Sequence, residues 1–148
     1  MTTDKNLRIG IPSKGRLSEL ATSLLNQAGL QFRRQERTLF ARVRELPGDI
    51  IFLRTDDIPV LGAEGAIDLG ITGSDLVEES CQDVQIRMPL GVGRCRLSVC
   101  VPESSAAQVG GDLDGLRIAT SFPEVTKAFL KKHGAKAHLV ELSGSVEI

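Results

Sequence analysis

The sequence predicts an α/β fold with mostly parallel sheets, arranged in two lobes. Short apolar runs typical of buried strands alternate with segments whose apolar residues recur every three or four positions, as in amphipathic helices. Such alternation predicts strand–helix–strand units, in which neighbouring strands run parallel. The glycine-containing stretch 90–94 interrupts the pattern. We therefore divide the chain into a first α/β lobe, residues 1–91, and a second, residues 92–148.

The first lobe is predicted to open with a buried strand at 7–11 and a turn at 12–16. A helix follows, with apolar residues at helical spacing from Leu17 to Ala28 and Gly29 at the position of a C-terminal cap. Further strands are predicted at 50–53 and 67–71, each followed by a turn and a helix, with Thr55 or Asp56 as the cap of the first of these helices.

The arginine-rich segment 33–44 is predicted to form a strand or a hairpin. Its arginines fit a solvated face or an oligomer contact, and the sequence leaves both interpretations open.

In the second lobe, the alternation of apolar and other residues over 95–101 predicts a strand, with Cys95 and Cys100 as core or half-buried residues. A surface loop at 102–115 leads to a strand at 116–119. Thr120 or Ser121 is predicted to cap the next helix, which ends before Gly134, and the last strand is expected at 137–142.

Composition excludes several classes of protein. The formal charge is −1, and the chain has five Phe but no Trp or Tyr, so it lacks the basic surface and the stacking side chains that nucleic-acid binding requires. Three cysteines without a CxxC pair suggest neither a disulfide framework nor a zinc site. The absence of a long apolar run argues against a membrane span or signal peptide. We expect a cytoplasmic protein.

The strongest functional signal is the turn Ser13, Lys14, Gly15 and Arg16 between the first strand and the first helix. A helix N-terminus offers free N–H groups and the positive end of the dipole, which favour phosphate. Gly15 permits close backbone approach, and Lys14 and Arg16 supply charge, Arg16 with bidentate geometry. The alternative is a capped helix with two solvated cations.

Other strand ends repeat this arrangement. Arg54 follows the second strand, at the edge where α/β sheets bind ligands, although a surface salt bridge would explain it equally well. The hydroxyl and N–H groups of Thr72 and Gly73 suit an anion-binding turn or a plain helix cap. Ser121 and the turn after Glu141 present the same choice in the second lobe. No set of residues suggests a catalytic triad or a protein-held metal ion.

Taken together, five segments resemble the ATP phosphoribosyltransferase family, in the family's order and over nearly the whole chain. They are IPSKGRL at 11–17, FLRTDDIPVLGAEGAIDLGITGSDLVEE at 52–79, LGVGRCRLSVCVP at 90–102, LRIATSFP at 116–123 and ELSGSVEI at 141–148. The set is specific, whereas each segment alone is a weak signal.

The resemblance implies the first step of histidine biosynthesis: adenine N1 of ATP attacks the ribose C1 of phosphoribosyl pyrophosphate, and pyrophosphate leaves. It implies a two-lobed fold similar to type II periplasmic binding proteins, and Mg²⁺ carried mainly by the substrate pyrophosphate. Lys14 and Arg16 match positions near that pyrophosphate, with Arg54 as a plausible partner. The implied assembly is a homo-oligomer, a dimer or a hexamer, with a separate regulatory subunit in the family's short form and a histidine-sensing domain in its long form.

Among the site residues, the resemblance implies that Ser13 and Gly15 bind substrate with the two cations and that Thr72 and Gly73 lie in a substrate-contacting loop. Ser121 and Glu141 are implied to lie near the ribose or the nucleotide. In the family a segment of the form DLVxTGxTL follows GSVE and holds the donor's 5′-phosphate, whereas this sequence ends at Ile148. We therefore expect an incomplete second lobe and little activity from this chain alone.

Two other functions compete with this interpretation. A non-catalytic solute-binding or sensor module would share the two-lobed architecture, and fold alone does not separate it from an enzyme. Such a module would not need paired cations at the first helix N-terminus. A regulatory or oligomerisation fragment is supported only by the arginine-rich segment 33–44.

Overall fold

A computed structural model describes residues 6–108, 110–144 and 146. The chain divides into two compact units, residues 1–94 and 95–148. Both combine helices with strands, and three of the four strand pairings among the described residues are parallel. The α/β class with mostly parallel sheets is thus confirmed.

The first unit is built on a four-stranded sheet in the order β2-β3-β1-β4. Its central strand β1 pairs in parallel with β3 on one side and with β4 on the other, whereas β2 is antiparallel to β3. Residues 9–12 are buried because both faces of β1 are covered: Ile9 and Ile11 pack in one cluster with α1, and Ile67 lies against Gly10 on the other face. This explains why the run reads as continuously apolar. The strands are β1 (Leu7–Pro12), β2 (Phe40–Arg42), β3 (Gly48–Leu53) and β4 (Leu69–Gly70).

Three helices follow the parallel strands of this sheet. They are α1 (Gly15–Gln27), α2 (Asp57–Ala63) and α3 (Ser74–Ser80). Helix α1 buries Ala21 and Leu25 in one core cluster with Ile11, Ile50 and other sheet residues. Gly29 follows the C-cap of α1 and ends the helix as predicted. Its φ of +89° is a left-handed conformation that glycine adopts without a steric penalty.

Polar contacts stabilise the edge of the sheet at which the parallel strands begin. The Arg8 guanidinium donates to both carboxylate oxygens of Asp68, at 3.2 and 3.1 Å, and to the Gly65 carbonyl at 2.8 Å. This hydrogen bonding to Asp68 raises the pKa of Arg8 above its usual value. The contacts tie β1 to the turn that precedes β4, at the edge away from the predicted site.

The second unit contains β5 (Arg117–Thr120), α4 (Pro123–Lys132) and β6 (His138–Glu141), with a short 3-10 helix at Gly110–Leu113. Strands β5 and β6 are parallel, as a strand–helix–strand unit requires. The described core of this unit is small and consists of Leu113, Leu130 and Ala135.

Several local predictions were wrong. Residues 95–101 form no helix or strand, and Cys95 and Cys100 are exposed rather than half-buried. Alternating side chains favour a strand only where another strand completes its hydrogen bonds, and no described residues pair with this segment. The arginine-rich segment, by contrast, contains a strand as predicted: β2, which pairs antiparallel with β3, is followed by Val43, which forms an isolated bridge with Phe32.

The predicted helix caps are confirmed only in part. Asp56 occupies the N-cap position of α2, but its side chain makes no capping hydrogen bond. The N-cap of α4 is Phe122, and its N–H donates to the Thr120 hydroxyl at 3.0 Å. Thr120 therefore stabilises the turn one step before the helix. Among the described helices, none has the length and apolar character needed to cross a membrane.

Candidate functional site

Three turns meet at the carboxyl edge of the first sheet. They follow β1, β3 and β4, which are adjacent and parallel. The Ser13 N–H donates to the Leu53 carbonyl at 2.7 Å, and the Thr72 hydroxyl donates to the Thr55 carbonyl at 3.0 Å. The first bond joins the turn after β1 to the end of β3, and the second joins the two outer turns, those after β4 and β3, to each other. The structure thus brings together the five predicted residues of the turns after β1 and β3 with Thr72 and Gly73.

The N-terminus of α1 lies in the middle of this edge. Lys14 is the N-cap, in an extended conformation with φ −147° and ψ 164°, and its side chain makes no capping bond. The first turn contains no acidic residue. The positive end of the helix dipole is therefore uncompensated by its own sequence, and the first N–H groups of α1 have no partner within the helix.

Gly15 is required by the backbone at this point. Its φ is +77°, a conformation that L-residues rarely adopt, and a Cβ placed there would meet no protein atom within 4 Å. The restriction is therefore conformational, since the side-chain position faces open space at the helix end. That open space is where a bound anion could contact the backbone.

Three predicted cations lie on this edge, and each is exposed. Within the described parts of the chain, Lys14 and Arg16 form no ion pair. Arg54 is different, because its Nε lies 3.7 Å from Asp56 Oδ1 with 79% of its side chain exposed. An ion pair as exposed as this one contributes little in water, so Arg54 is able to exchange Asp56 for a ligand.

The turn after β4 is stabilised internally. Thr72 is half-buried and uses its hydroxyl hydrogen on the Thr55 carbonyl. Gly73 is the N-cap of α3, and its carbonyl accepts the Val77 N–H at 3.1 Å. The turn is a helix cap, as the simpler alternative predicted. Thr72 fixes this turn against the turn after β3 and has no second hydrogen to donate to a ligand.

The two predicted residues of the second unit also share an edge of their own sheet. Ser121 follows β5 and is exposed, and Glu141 ends β6 in register with Thr120. The Leu142 N–H donates to the Thr120 carbonyl at 2.9 Å, which holds the two strand ends together. Ser145 and Glu147 of the following turn lie outside the described residues.

One residue at the first edge was not predicted. Arg34 Nη1 donates to the Ser13 carbonyl at 2.6 Å, and its guanidinium lies 4.2 Å from the centroid of the Phe52 ring. The sequence showed a cluster of arginines but not which of them would reach back to the turn after β1. Only the path of the chain between α1 and β2 determines that contact.

Metal-binding side chains are not gathered at either edge. The described residues contain no group of three or more His, Cys, Asp or Glu side chains that could hold a metal ion.

Comparison with known proteins identifies the family. The HisG family, described as ATP phosphoribosyltransferase, matches residues 54–148. The ATP phosphoribosyltransferase of Rhodopirellula baltica is 68% identical over 97% of this chain and 48% of its own length, and that of Stenotrophomonas maltophilia is 45% identical over 96% and 50%. This chain thus spans about half the length of the curated relatives it matches.

A solved structure supports the same relationship. The ATP phosphoribosyl transferase (HisG:HisZ) complex from Thermotoga maritima aligns with a TM-score of 0.64 and 27% identity, over 96% of this chain and 67% of that chain. Since the family match covers more than half of the sequence, this chain belongs to the HisG family of ATP phosphoribosyltransferases.

Proposed function

We propose that this chain supplies the pyrophosphate-binding part of an ATP phosphoribosyltransferase, which condenses ATP with phosphoribosyl pyrophosphate to give N1-(5-phosphoribosyl)-ATP and pyrophosphate. The observation that carries the proposal is the N-terminus of α1, where free N–H groups lie at the carboxyl edge of the sheet beside Lys14 and Arg16, two cations that form no ion pair with the described residues. Membership of the family supports pyrophosphate as the anion bound there.

The chemistry suits a site with this composition. Displacement at an anomeric carbon passes through an oxocarbenium-like transition state, so the protein need not supply a nucleophile. Its task is to orient two anionic substrates and to stabilise the charge on the departing pyrophosphate. Lys14, Arg16 and Arg54 would neutralise that charge, and the N–H groups beside Ser13 and Gly15 would bind phosphate oxygens.

The proposals for the fold, the other site residues, the metal ion and the assembly rest on membership of the family. We propose that the two units are lobes of a fold similar to type II periplasmic binding proteins, and that Thr72, Gly73, Ser121 and Glu141 lie near the substrates. Mg²⁺ would arrive on the pyrophosphate oxygens, which are ligands that it prefers. We also propose a homo-oligomer, a dimer or a hexamer, and a separate regulatory subunit, because the Thermotoga maritima neighbour is a HisG:HisZ complex.

A chimera tests the activity directly. This chain would replace the matching residues of the Rhodopirellula baltica relative, with which it is 68% identical. Phosphoribosyl-ATP formation would be followed by ultraviolet absorbance with ATP, phosphoribosyl pyrophosphate and Mg²⁺ present. We expect product from the chimera. A folded chimera that binds pyrophosphate but forms no product would instead favour a non-catalytic binding module.

Binding to the 148-residue chain tests the site itself. Lys14→Ala and Arg16→Ala should each weaken Mg–pyrophosphate binding about tenfold, since a hydrogen bond to a charged group contributes about 1.5–3 kcal/mol. The loss should shrink as salt is added, because added ions screen exposed charges. Arg44→Ala is the matched control, since Arg44 is exposed and lies on the far side of β2 in sequence. Calorimetry giving equal affinities for all four proteins would remove both cations from the site.

A further inference from the structure

Arg34 makes two contacts that converge on the candidate site. Its Nη1 donates to the Ser13 carbonyl at 2.6 Å, a bond between residues 21 positions apart. Its guanidinium plane lies over Phe52 at 4.2 Å, and Phe52 is a core residue of β3 that is only 4% exposed. A rigid side chain therefore supports the exposed guanidinium from below, which restricts where the guanidinium can point.

These contacts clamp the Ser13 residue from both ends. The N–H of Ser13 donates to the Leu53 carbonyl at 2.7 Å, and its carbonyl accepts from Arg34. Ser13 immediately precedes Lys14 and Gly15, the residues that begin α1. The orientation of the Ser13–Lys14 peptide therefore depends on Arg34, and the direction of the first N–H groups of the helix depends on that peptide.

We propose that Arg34 is a positioning residue for the anion-binding turn. It holds the Ser13 carbonyl, which would repel phosphate, and so keeps the helix N–H groups directed at the ligand. One of its donors is used on that carbonyl and its guanidinium lies over the Phe52 ring, so the proposal gives Arg34 no direct contact with the ligand. This inference rests on the proposed function for the identity of the anion, but the clamp itself is a property of the chain alone.

Pyrophosphate binding separates this role from two others. Arg34→Ala should weaken Mg–pyrophosphate binding to the 148-residue chain about tenfold, with the same slope of log affinity against log salt as the unaltered protein. A direct ligand would instead reduce that slope, as Lys14→Ala should. A residue that serves stability alone would lower the melting temperature and leave the affinity of the folded protein unchanged. Either of those two results would overturn the proposal.

Conservative and neighbouring variants sharpen the test. Arg34→Lys keeps the charge and can still donate a hydrogen bond but loses the planar guanidinium over Phe52, so it should restore only part of the affinity. Arg33→Ala is the matched control, because Arg33 is also exposed and is adjacent in sequence. Full recovery of affinity with lysine, or an equal loss from Arg33→Ala, would contradict a clamp that depends on guanidinium geometry.

Amide exchange tests the clamp where no ligand is bound. Arg34→Ala should speed exchange of the Ser13 amide at least about tenfold and leave the Ile11 amide, in the core of β1, unchanged. If the unaltered chain failed to bind pyrophosphate, the proposed function would fail, while this exchange measurement would still decide the clamp. An unchanged Ser13 rate would refute the positioning role whatever the binding result.

Discussion

Replacing Gly15 by alanine should separate the backbone contribution to the site from its contribution to stability. At φ +77°, an L-residue costs roughly 1–2 kcal/mol more than glycine. Alanine also lowers the conformational entropy of the unfolded chain, which stabilises the folded state by about 0.4–1 kcal/mol. Because the new Cβ would meet no atom within 4 Å, no clash adds to this. The net loss of folding free energy should be about 1 kcal/mol, or roughly 3 °C in melting temperature for a chain of this size.

The other end of the same helix provides a matched control. Gly29 has φ +89°, and a Cβ there would also meet nothing within 4 Å. Gly29→Ala should therefore cost about the same 1 kcal/mol for the same reason. Gly29 lies at the C-terminus of α1, however, where the dipole is negative and no anion is expected.

The two variants should match in stability and differ in binding. Urea denaturation followed by far-ultraviolet circular dichroism would give the free energies, and calorimetry would give the Mg–pyrophosphate affinity. Gly15→Ala places a methyl group in the open space at the helix end and turns the local N–H groups, so affinity should fall at least about tenfold, as expected for the loss of one hydrogen bond to a charged ligand. Gly29→Ala should bind normally. Equal affinities for the two variants would refute the idea that phosphate contacts the backbone at Gly15.

Three further predictions follow from the packing. Ile11→Ala, at a fully buried position in β1, should lower the folding free energy by about 2–5 kcal/mol in urea denaturation, and a loss below 1 kcal/mol would contradict its place in the core. Thr72→Val removes the hydroxyl that donates to Thr55 and should cost about 1 kcal/mol more than Thr72→Ser, measured in the same way. Amides of β5 and β6 should exchange with deuterium faster than those of β1 and β3, because the described core of the second unit contains three buried residues and that of the first contains eight; equal protection would show that the second unit is stabilised by other contacts.

Much of the first unit could be predicted because local and long-range requirements coincide there. The run around Ile9 and Ile11 is apolar on both faces because β1 is central in its sheet, and the 3.6-residue period of α1 faces the same core. The position of the turn between them follows from Pro12 and Gly15 alone. The secondary structure of a segment can therefore be predicted from its sequence where its own residues determine its conformation.

Prediction failed where conformation depends on a distant partner. Leu97, Val99 and Val101 alternate as a strand should, yet no described residues complete their hydrogen bonds, and all three side chains are exposed. For Arg34, the sequence pattern missed contacts that the structure contains. Its neighbours in sequence suggested a solvated face, and its role comes from Ser13 and Phe52, which no local pattern connects to it.

In the proposed site, both backbone N–H groups and cationic side chains would bind the anion. The N–H groups of α1 are held in place through Ser13, whose N–H donates to the Leu53 carbonyl and whose carbonyl accepts from Arg34. Lys14 and Arg16, in contrast, extend into solvent without fixed partners among the described residues. A fixed donor favours an anion of one shape, while a mobile cation attracts any anion of sufficient charge. Removing the cations should therefore weaken pyrophosphate and sulfate in similar proportion, and disturbing Gly15 or Arg34 should weaken pyrophosphate more than sulfate. If all four substitutions lowered both affinities by one common factor, the backbone would contribute no selectivity and the site would act through charge alone.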